Sequence, residues 1–294
     1  QANLLEHDPK TERYSWHDLL KDFASARLPA PARAAAHLRH VDWFTALAYY
    51  LTDELYLKGQ VLPALSVFDR ERAHLDAAFA WLGAQTSGGQ GDEAAAAIAP
   101  RVAKLVNAVA YTSSLRFHPR QRITWLEAQR DAAQAMGDRE QEGAALGNLG
   151  VAYKDLGEPR RAIEVYEQCL VLHREIGDRC GEGNDLGNLG TAYTDLGKPR
   201  RAIEFYEQAL IIDREIGDRR GEGSDLGNLG LAYAALAEPR RAIEFYEQCL
   251  VLHREIGDRL GEGNDLGNLG SAYADLSEPR RAIEFHEQSL IIAR

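Results

Sequence analysis

A 40-residue period runs through the C-terminal half of this chain and limits what it can fold into. Gly-Asn-Leu-Gly occurs at 147–150, 187–190, 227–230 and 267–270, and Pro-Arg-Arg-Ala-Ile-Glu starts at Pro159, Pro199, Pro239 and Pro279. Residues 177–216 and 217–256 agree at 29 of 40 positions. A longer period lies over the first, because Cys169-Leu-Val-Leu-His173 returns as Cys249-Leu-Val-Leu-His253, 80 residues on. A fixed period of this length marks stacked supersecondary units, each too small to bury a core alone.

Each unit reads as two helices. Gly177 ends one helix and Asp178 caps the next. The first helix then runs to about Leu196, Gly197 supplies a stop, and Pro199 suits the first turn of the second helix, which runs to about Ile216. At about 100° per residue, Leu186, Leu189, Gly190 and Tyr193 share one face. Glycine inside a helix costs about 1 kcal/mol, so its return at Gly187 and Gly190 implies a packing gain. Gly190 and Ala202 are small where two helices must approach closely.

Leu189, Gly190, Tyr193, Gly197, Ala202, Tyr206 and Ala209 resemble the signature of the tetratricopeptide repeat family. The departures are a 40-residue unit, leucine at Leu186 where tryptophan is usual, and no proline at the unit's end. The longer unit looks like the subclass found in kinesin light chains and spindle-orientation adaptors. The resemblance implies an all-α, right-handed superhelical solenoid of four near-identical units over 139–294, with a degenerate first unit over 93–138.

Stacked helix pairs make a superhelix whose first helices line a concave groove. Opposite the core of the helix 179–196 lie Asn184, Asn188, Thr191 and Asp195. Their equivalents are Ala144, Asn148, Val151 and Asp155; Ser224, Asn228, Leu231 and Ala235; and Asn264, Asn268, Ser271 and Asp275. The asparagine never changes. Its carboxamide both donates and accepts, so it can pair with a peptide backbone without reading side chains. Around it the stripe varies, including Lys154, Thr194, Ala234 and Ala274, as unit-specific pockets would. In the family this stripe resembles, asparagines at such positions hold peptide ligands. Asp155, Asp195 and Asp275 make the groove mildly acidic, so a basic or neutral protein or peptide is the expected partner.

Upstream, residues 3–7 and 12–16 flank a turn-rich stretch and read as a hairpin, followed by a helix from His17 to about Arg27. The string Arg13-Tyr-Ser-Trp-His17-Asp-Leu-Leu-Lys21-Asp-Phe-Ala24 resembles the winged-helix end of STAND signalling NTPases of the NB-ARC branch. That resemblance implies a winged-helix remnant over 1–29. It also implies that His17 senses bound ADP, although Trp16 replaces the usual methionine or leucine. Helices near 32–57 and 66–84 look like the helical linker of the same proteins, giving a linker domain over 30–92 that ends in a loop at 86–91. The chain holds no Gly-x-x-x-x-Gly-Lys-Ser/Thr phosphate loop. No cofactor is expected in these residues, and ADP or ATP with Mg would belong to an NTPase domain upstream of Gln1.

Composition narrows the partners further. Lys and Arg total 34 against 45 Asp and Glu, a net charge of −11, which opposes nucleic acid and anionic membranes. No apolar run of about 18 residues exists to span a bilayer. Three cysteines, Cys169, Cys180 and Cys249, fit a reducing cytoplasm better than a disulfide framework. Cys169 and Cys249 read as core, in the slot of Ala209 and Ser289. His173 and His253 replace Asp213 and read as exposed, and the Glu-Gly and Arg-Glu runs read as solvated faces. His37 and His40 lack a third ligand at matching spacing, so no metal site and no catalytic group is expected. The last helix stops at Arg294, so the array is expected to continue or to pack on another molecule, self-association included.

The reading that follows is the sensor half of a STAND NTPase. A ligand in the groove would relieve autoinhibition and let the NTPase oligomerise, in a role such as bacterial defence. The alternatives are the ligand-sensing arm of a transcription regulator and a freestanding scaffold or adaptor.

Overall fold

The computed structural model describes residues 5–8, 13–16, 27–87 and 91–292. The chain divides into two compact units, Gln1–Arg116 and Phe117–Arg294. That division falls inside the segment 93–138, expected as a degenerate first repeat.

In the first unit, β1 (Leu5–Asp8) pairs antiparallel with β2 (Arg13–Trp16), with Leu5 opposite Trp16 and Asp8 opposite Arg13. The helix expected from His17 and the His17 side chain lie outside the described residues. Helix α1 (Ala30–Tyr50) continues into a π-helical stretch, Leu51–Tyr56. Then come α2 (Val61–Ser87), α3 (Gly91–Ala108) and α4 (Ala110–Arg116). Residues 88–90 of the expected loop are not described, and Thr86 and Ser87 belong to α2. Helices α1, α2 and α3 pack on one another around Val41, Phe44, Phe68, Leu75, Leu82 and Leu105. The Thr52 hydroxyl in the π-helical stretch donates to the Ala108 carbonyl at 3.0 Å, which ties it to the end of α3.

The second unit is a run of helices. It starts with α5 (Pro119–Met136), followed by the pairs α6 (Arg139–Asp155) and α7 (Pro159–Ile176), and α8 (Arg179–Asp195) and α9 (Pro199–Ile216). Two more pairs follow: α10 (Arg219–Ala235) with α11 (Pro239–Ile256), and α12 (Arg259–Asp275) with α13 (Pro279–Ile292). The boundaries come from capping chemistry. Asp138, Asp178, Asp218 and Asp258 each accept the backbone N–H three residues on, at 2.9–3.0 Å. That satisfies a donor the first turn leaves open. The second helices end in left-handed glycines, Gly137, Gly177, Gly217 and Gly257.

Each pair closes on a fixed core. Leu186, Leu189 and Ala192 from the first helix meet Ala202, Ile203, Tyr206 and Leu210 from the second, all buried. Gly190 has the steric reason its sequence position implies. A Cβ there would lie 2.5 Å from the Tyr206 ring, and one at Gly150 would lie 2.2 Å from Tyr166. The ring lies against bare backbone, and no side chain fits between. Gly187 differs: a Cβ would meet only Asp225, at 3.4 Å, and nothing in the structure explains the glycine. Outside this contact Tyr193 stacks on Phe205 (5.2 Å between centroids), Tyr233 on Phe245 and Tyr273 on Phe285.

Successive units bury each other's second helices. Ile163, Ile203 and Ile243 are buried, as are Leu170, Leu210 and Leu250, whereas their equivalents on α13, Ile283 and Leu290, are 57% and 62% exposed. Between the two helices of a unit the turn takes a left-handed residue. It is glycine at Gly157 and Gly197, but Ala237 (φ 56°) and Ser277 (φ 60°) in the last two units. An L side chain in that region costs roughly 1–2 kcal/mol, offset in part because glycine leaves the unfolded chain freer. Ala237→Gly is therefore expected to raise stability by about 0.5–1 kcal/mol, read by thermal or urea unfolding, with Gly197→Ala changing it in the opposite direction.

Candidate functional site

Consecutive first helices approach one another directly, α6 with α8 and α8 with α10. This is the arrangement of helices on the inner side of a curve. The asparagine stripe runs along their outward face. Asn148 is exposed and Asn188, Asn228 and Asn268 are half-buried, none of them in the core. Their carboxamides make no hydrogen bond with the described residues; the helix caps are aspartates instead. Asn184 and Asn264 are exposed one turn earlier, and Asp155, Asp195 and Asp275 one to two turns later. Asp155 is held by Arg122 at 2.9 Å, which offsets part of its charge.

The variable positions are only in part free for a ligand. Val151 and Thr191 are half-buried, Leu231 is 50% exposed, and Ser271 is exposed. The Thr191 and Ser271 hydroxyls donate back to the Gly187 and Gly267 carbonyls at 3.1 Å. Thr194 donates to the Gly190 carbonyl at 3.0 Å. The Tyr206 hydroxyl lies 3.3 Å from Thr191 Oγ1 and 3.4 Å from Thr194 Oγ1. Where Val151 and Lys154 replace those threonines, the buried Tyr166 hydroxyl has no partner. Part of the variation along the stripe thus answers to the tyrosine beneath it. A buried hydroxyl without a partner costs about 1–3 kcal/mol, so Val151→Thr is expected to raise stability by about 1 kcal/mol in an unfolding titration.

Sequence reasoning missed the polar seams between units. Glu142, Glu182, Glu222 and Glu262 are buried, not solvated. Glu182 is clamped by Arg174 of the preceding second helix (2.8 Å) and Arg179 of its own helix (2.5 Å), and Arg179 also reaches Glu215. Burial raises the Glu182 pKa, but the two guanidiniums outweigh it and the net shift is downward. The signal was present as a glutamate recurring eight residues after one arginine and three after another.

His173 and His253 are likewise not exposed. His173 Nδ1 lies 2.7 Å from Asp185 Oδ2 across the seam, and His253 Nδ1 lies 2.7 Å from Asp265 Oδ2. The ring fits because Gly143 and Gly181 flank it, where a Cβ would come within 2.6 Å. Cys169 and Cys249 are buried beside these rings, as the small-slot reading implies. In the middle seam Asp213 faces Asp225, both buried. Burial first, then mutual repulsion, pushes Asp225 up to about 8. Burial, with Asp218 and Glu222 nearby, pushes Asp213 to about 6. One oxygen of Asp225 is buried without a partner.

The remaining candidates are dispersed. His37 stacks on Trp81 and His40 faces His74 at 3.3 Å, so the two do not converge on one point. Two clefts of about 610 and 630 Å³ lie where second helices meet the first helix between them, and no stripe residue lines either. Arg214, Arg219, Glu244, Glu247 and Val251 line one, and the other holds the equivalents 80 residues earlier. No described helix is long and apolar enough to cross a membrane.

The raised carboxyls of the middle seam set a pH dependence. The folded state binds more protons than the unfolded chain between the ordinary carboxylate range and about pH 8, so this seam loses stability as pH rises through that window. Asp213→Asn should leave the melting temperature nearly unchanged at pH 4 and raise it at pH 8. An equal shift at both values would refute the raised carboxyls of this seam.

Comparison with known proteins agrees with this geometry. Tetratricopeptide repeat family models match residues 183–254 and 226–294, and a second such model matches 145–179. No curated protein sequence matches the chain. Among solved structures, BtubC (BKLC) from P. vanneervenii is similar with a TM-score of 0.61 at 20% identity, over 74% of this chain and 91% of that one. The apo form of RapI is similar with a TM-score of 0.62 at 13% identity, over 94% and 69%. The apo quorum sensor NprR from B. thuringiensis gives 0.54 at 16% identity, over 78% and 62%. With half of its length matched by these models, and helix pairs of the matching form, the chain belongs to the tetratricopeptide repeat family.

Proposed function

We propose that the repeats form a recognition surface for a protein or peptide, lying along the first helices and held by Asn148, Asn188, Asn228 and Asn268. The observation that carries this is a row of four invariant carboxamides at a 40-residue spacing, exposed at Asn148 and half-buried at the other three, without hydrogen-bond partners among the described residues. Both donors and an acceptor on each are free for an extended backbone. Asn184, Asn264, Val151, Thr191, Leu231, Ser271, Lys154, Asp155, Asp195 and Asp275 would shape the pockets beside them. The exposed carboxylates of Asp195 and Asp275 favour a basic or neutral partner. NprR, one of the neighbours in fold, is described as a quorum sensor, which fits a sensing role.

In this proposal the array is the sensor region of a STAND NTPase of the NB-ARC type, and the segment 1–29 is the end of its winged helix. His17 would then report on ADP or ATP with Mg held by the NTPase domain, and ligand in the groove would release that domain to oligomerise. A freestanding cytoplasmic scaffold is the second reading. What favours it is that the fold of 94% of the chain recurs in RapI, so the helices ahead of the repeats do not by themselves call for an NTPase.

The test of the groove is a binding assay on partners captured by the whole chain. Asn188→Ala with Asn228→Ala is expected to weaken capture at least tenfold with the circular dichroism unchanged, and Asp195→Lys to weaken basic partners selectively. Capture that survives all three but is lost with Glu244→Gln and Glu247→Gln would move the site to the cleft those glutamates line and overturn the assignment.

A further inference from the structure

Two of the polar seams carry a donor set that packing alone does not require. Cys169 and His173 are one turn apart on α7, and Asp185 reaches them from α8. The Cys169 sulfur lies 3.7 Å from His173 Nδ1, and that nitrogen lies 2.7 Å from Asp185 Oδ2. The same triad returns as Cys249, His253 and Asp265, at 3.6 and 2.7 Å. In each, the sulfur, nitrogen and oxygen donors all lie within 4.8 Å of one another. A backbone oxygen completes the wall: the Gly143 carbonyl is 3.2 Å from the Cys169 sulfur, and the Gly223 carbonyl 3.1 Å from that of Cys249.

We propose that each of these two triads binds one thiophilic divalent cation of the zinc type, pinning consecutive repeats together. Such an ion takes sulfur at about 2.3 Å and nitrogen or oxygen at about 2.0–2.2 Å, which sets ligand atoms roughly 3.3–3.6 Å apart around a tetrahedron. The sulfur–nitrogen separation already matches, and the His–Asp contact has to open by roughly half an ångström. Charge favours the ion as well. A thiolate, a carboxylate and a neutral imidazole cancel a double positive charge, and a buried site penalises any net charge left over.

The proton balance is explicit. The entering ion displaces the thiol proton to solvent, and the imidazole presents the Nδ1 lone pair while its proton sits on Nε2. In the first triad the carboxylate of the cap residue Asp178 lies 3.9 Å from Nε2, so a shift of under about 1 Å would bring it to the outer position that ligating histidines commonly use. Because binding releases the thiol proton, it tightens as pH rises.

The chain contains its own control. The middle seam has Ala209, Asp213 and Asp225, and the last unit has Ser289, so neither offers sulfur and nitrogen together. The expected stoichiometry is therefore two ions per chain, not three or four.

Cobalt(II) titration of the whole chain tests this, with the exposed Cys180 changed to serine to remove its thiol. The expected result is a thiolate-to-cobalt charge-transfer band with the visible spectrum of four-coordinate cobalt, saturating at two ions and displaced by zinc. Cys169→Ala should halve the saturation and the band, and Cys169→Ala with Cys249→Ala should abolish both. Alanine already fills this slot at Ala209, and circular dichroism checks that the variants fold. A folded protein with no charge-transfer band, or a saturation that the double substitution leaves unchanged, overturns the proposal and leaves hydrogen-bonded triads without an ion.

Discussion

The closeness of the two helices in each unit rests on a ring laid against bare backbone. Tyr166, Tyr206 and Tyr246 press on Gly150, Gly190 and Gly230, with no room for even a methyl group. The glycine lowers helix propensity by about 1 kcal/mol, and burial of the tyrosine ring more than offsets that. This contact brings the first helix close enough to bury Leu186 and Leu189 against Ala202 and Leu210. With that face used up, the opposite face of the first helix is left for solvent or for a partner. The last unit keeps the contact with His286 in place of tyrosine, so the geometry tolerates a different ring.

If the ring contact builds the unit, polar seams build the stack. Along one edge, a buried glutamate held by two arginines joins α7 to α8, α9 to α10 and α11 to α12. Deeper in, a residue of the second helix faces an invariant aspartate: His173 with Asp185, Asp213 with Asp225 and His253 with Asp265. Exposed ion pairs contribute little, about 0–1 kcal/mol each. The glutamates and the histidine-facing aspartates are buried, so removing their partner would leave a desolvated charge, at a far larger cost, whereas in the Asp213–Asp225 pair removing one member relieves repulsion.

The repeat made the architecture legible. Period, caps and apolar spacing give the helix pairs, because Asp178, Gly197 and Pro199 act through local chemistry that a single strand of text displays. The seams were legible only in hindsight, since they join residues 8 to 12 apart across a turn, on different helices. An aspartate at 213 and a histidine at 173 look alike as tolerant surface positions until the flanking glycines are seen to make room for them. The stripe of asparagines was visible as a pattern, and the structure adds that the amides are accessible and unengaged. Part of the variation beside them is bound up with the tyrosine hydroxyls underneath, which no face-counting on one helix could reveal. The residues upstream of the repeats offered no period to read. No spacing there marks where the array begins, and α3 packs on α1 and α2.

The uneven seams have a mechanical side. A stack joined only through nearest neighbours is no stiffer than its softest joint. Here two carboxyls meet at the midpoint of the four units, with a histidine–carboxylate joint on either side. Once both carboxyls are charged, above about pH 8, that joint repels where its neighbours attract. The spacing of the amide row between Asn188 and Asn228 would therefore answer to pH before the rest of the row does.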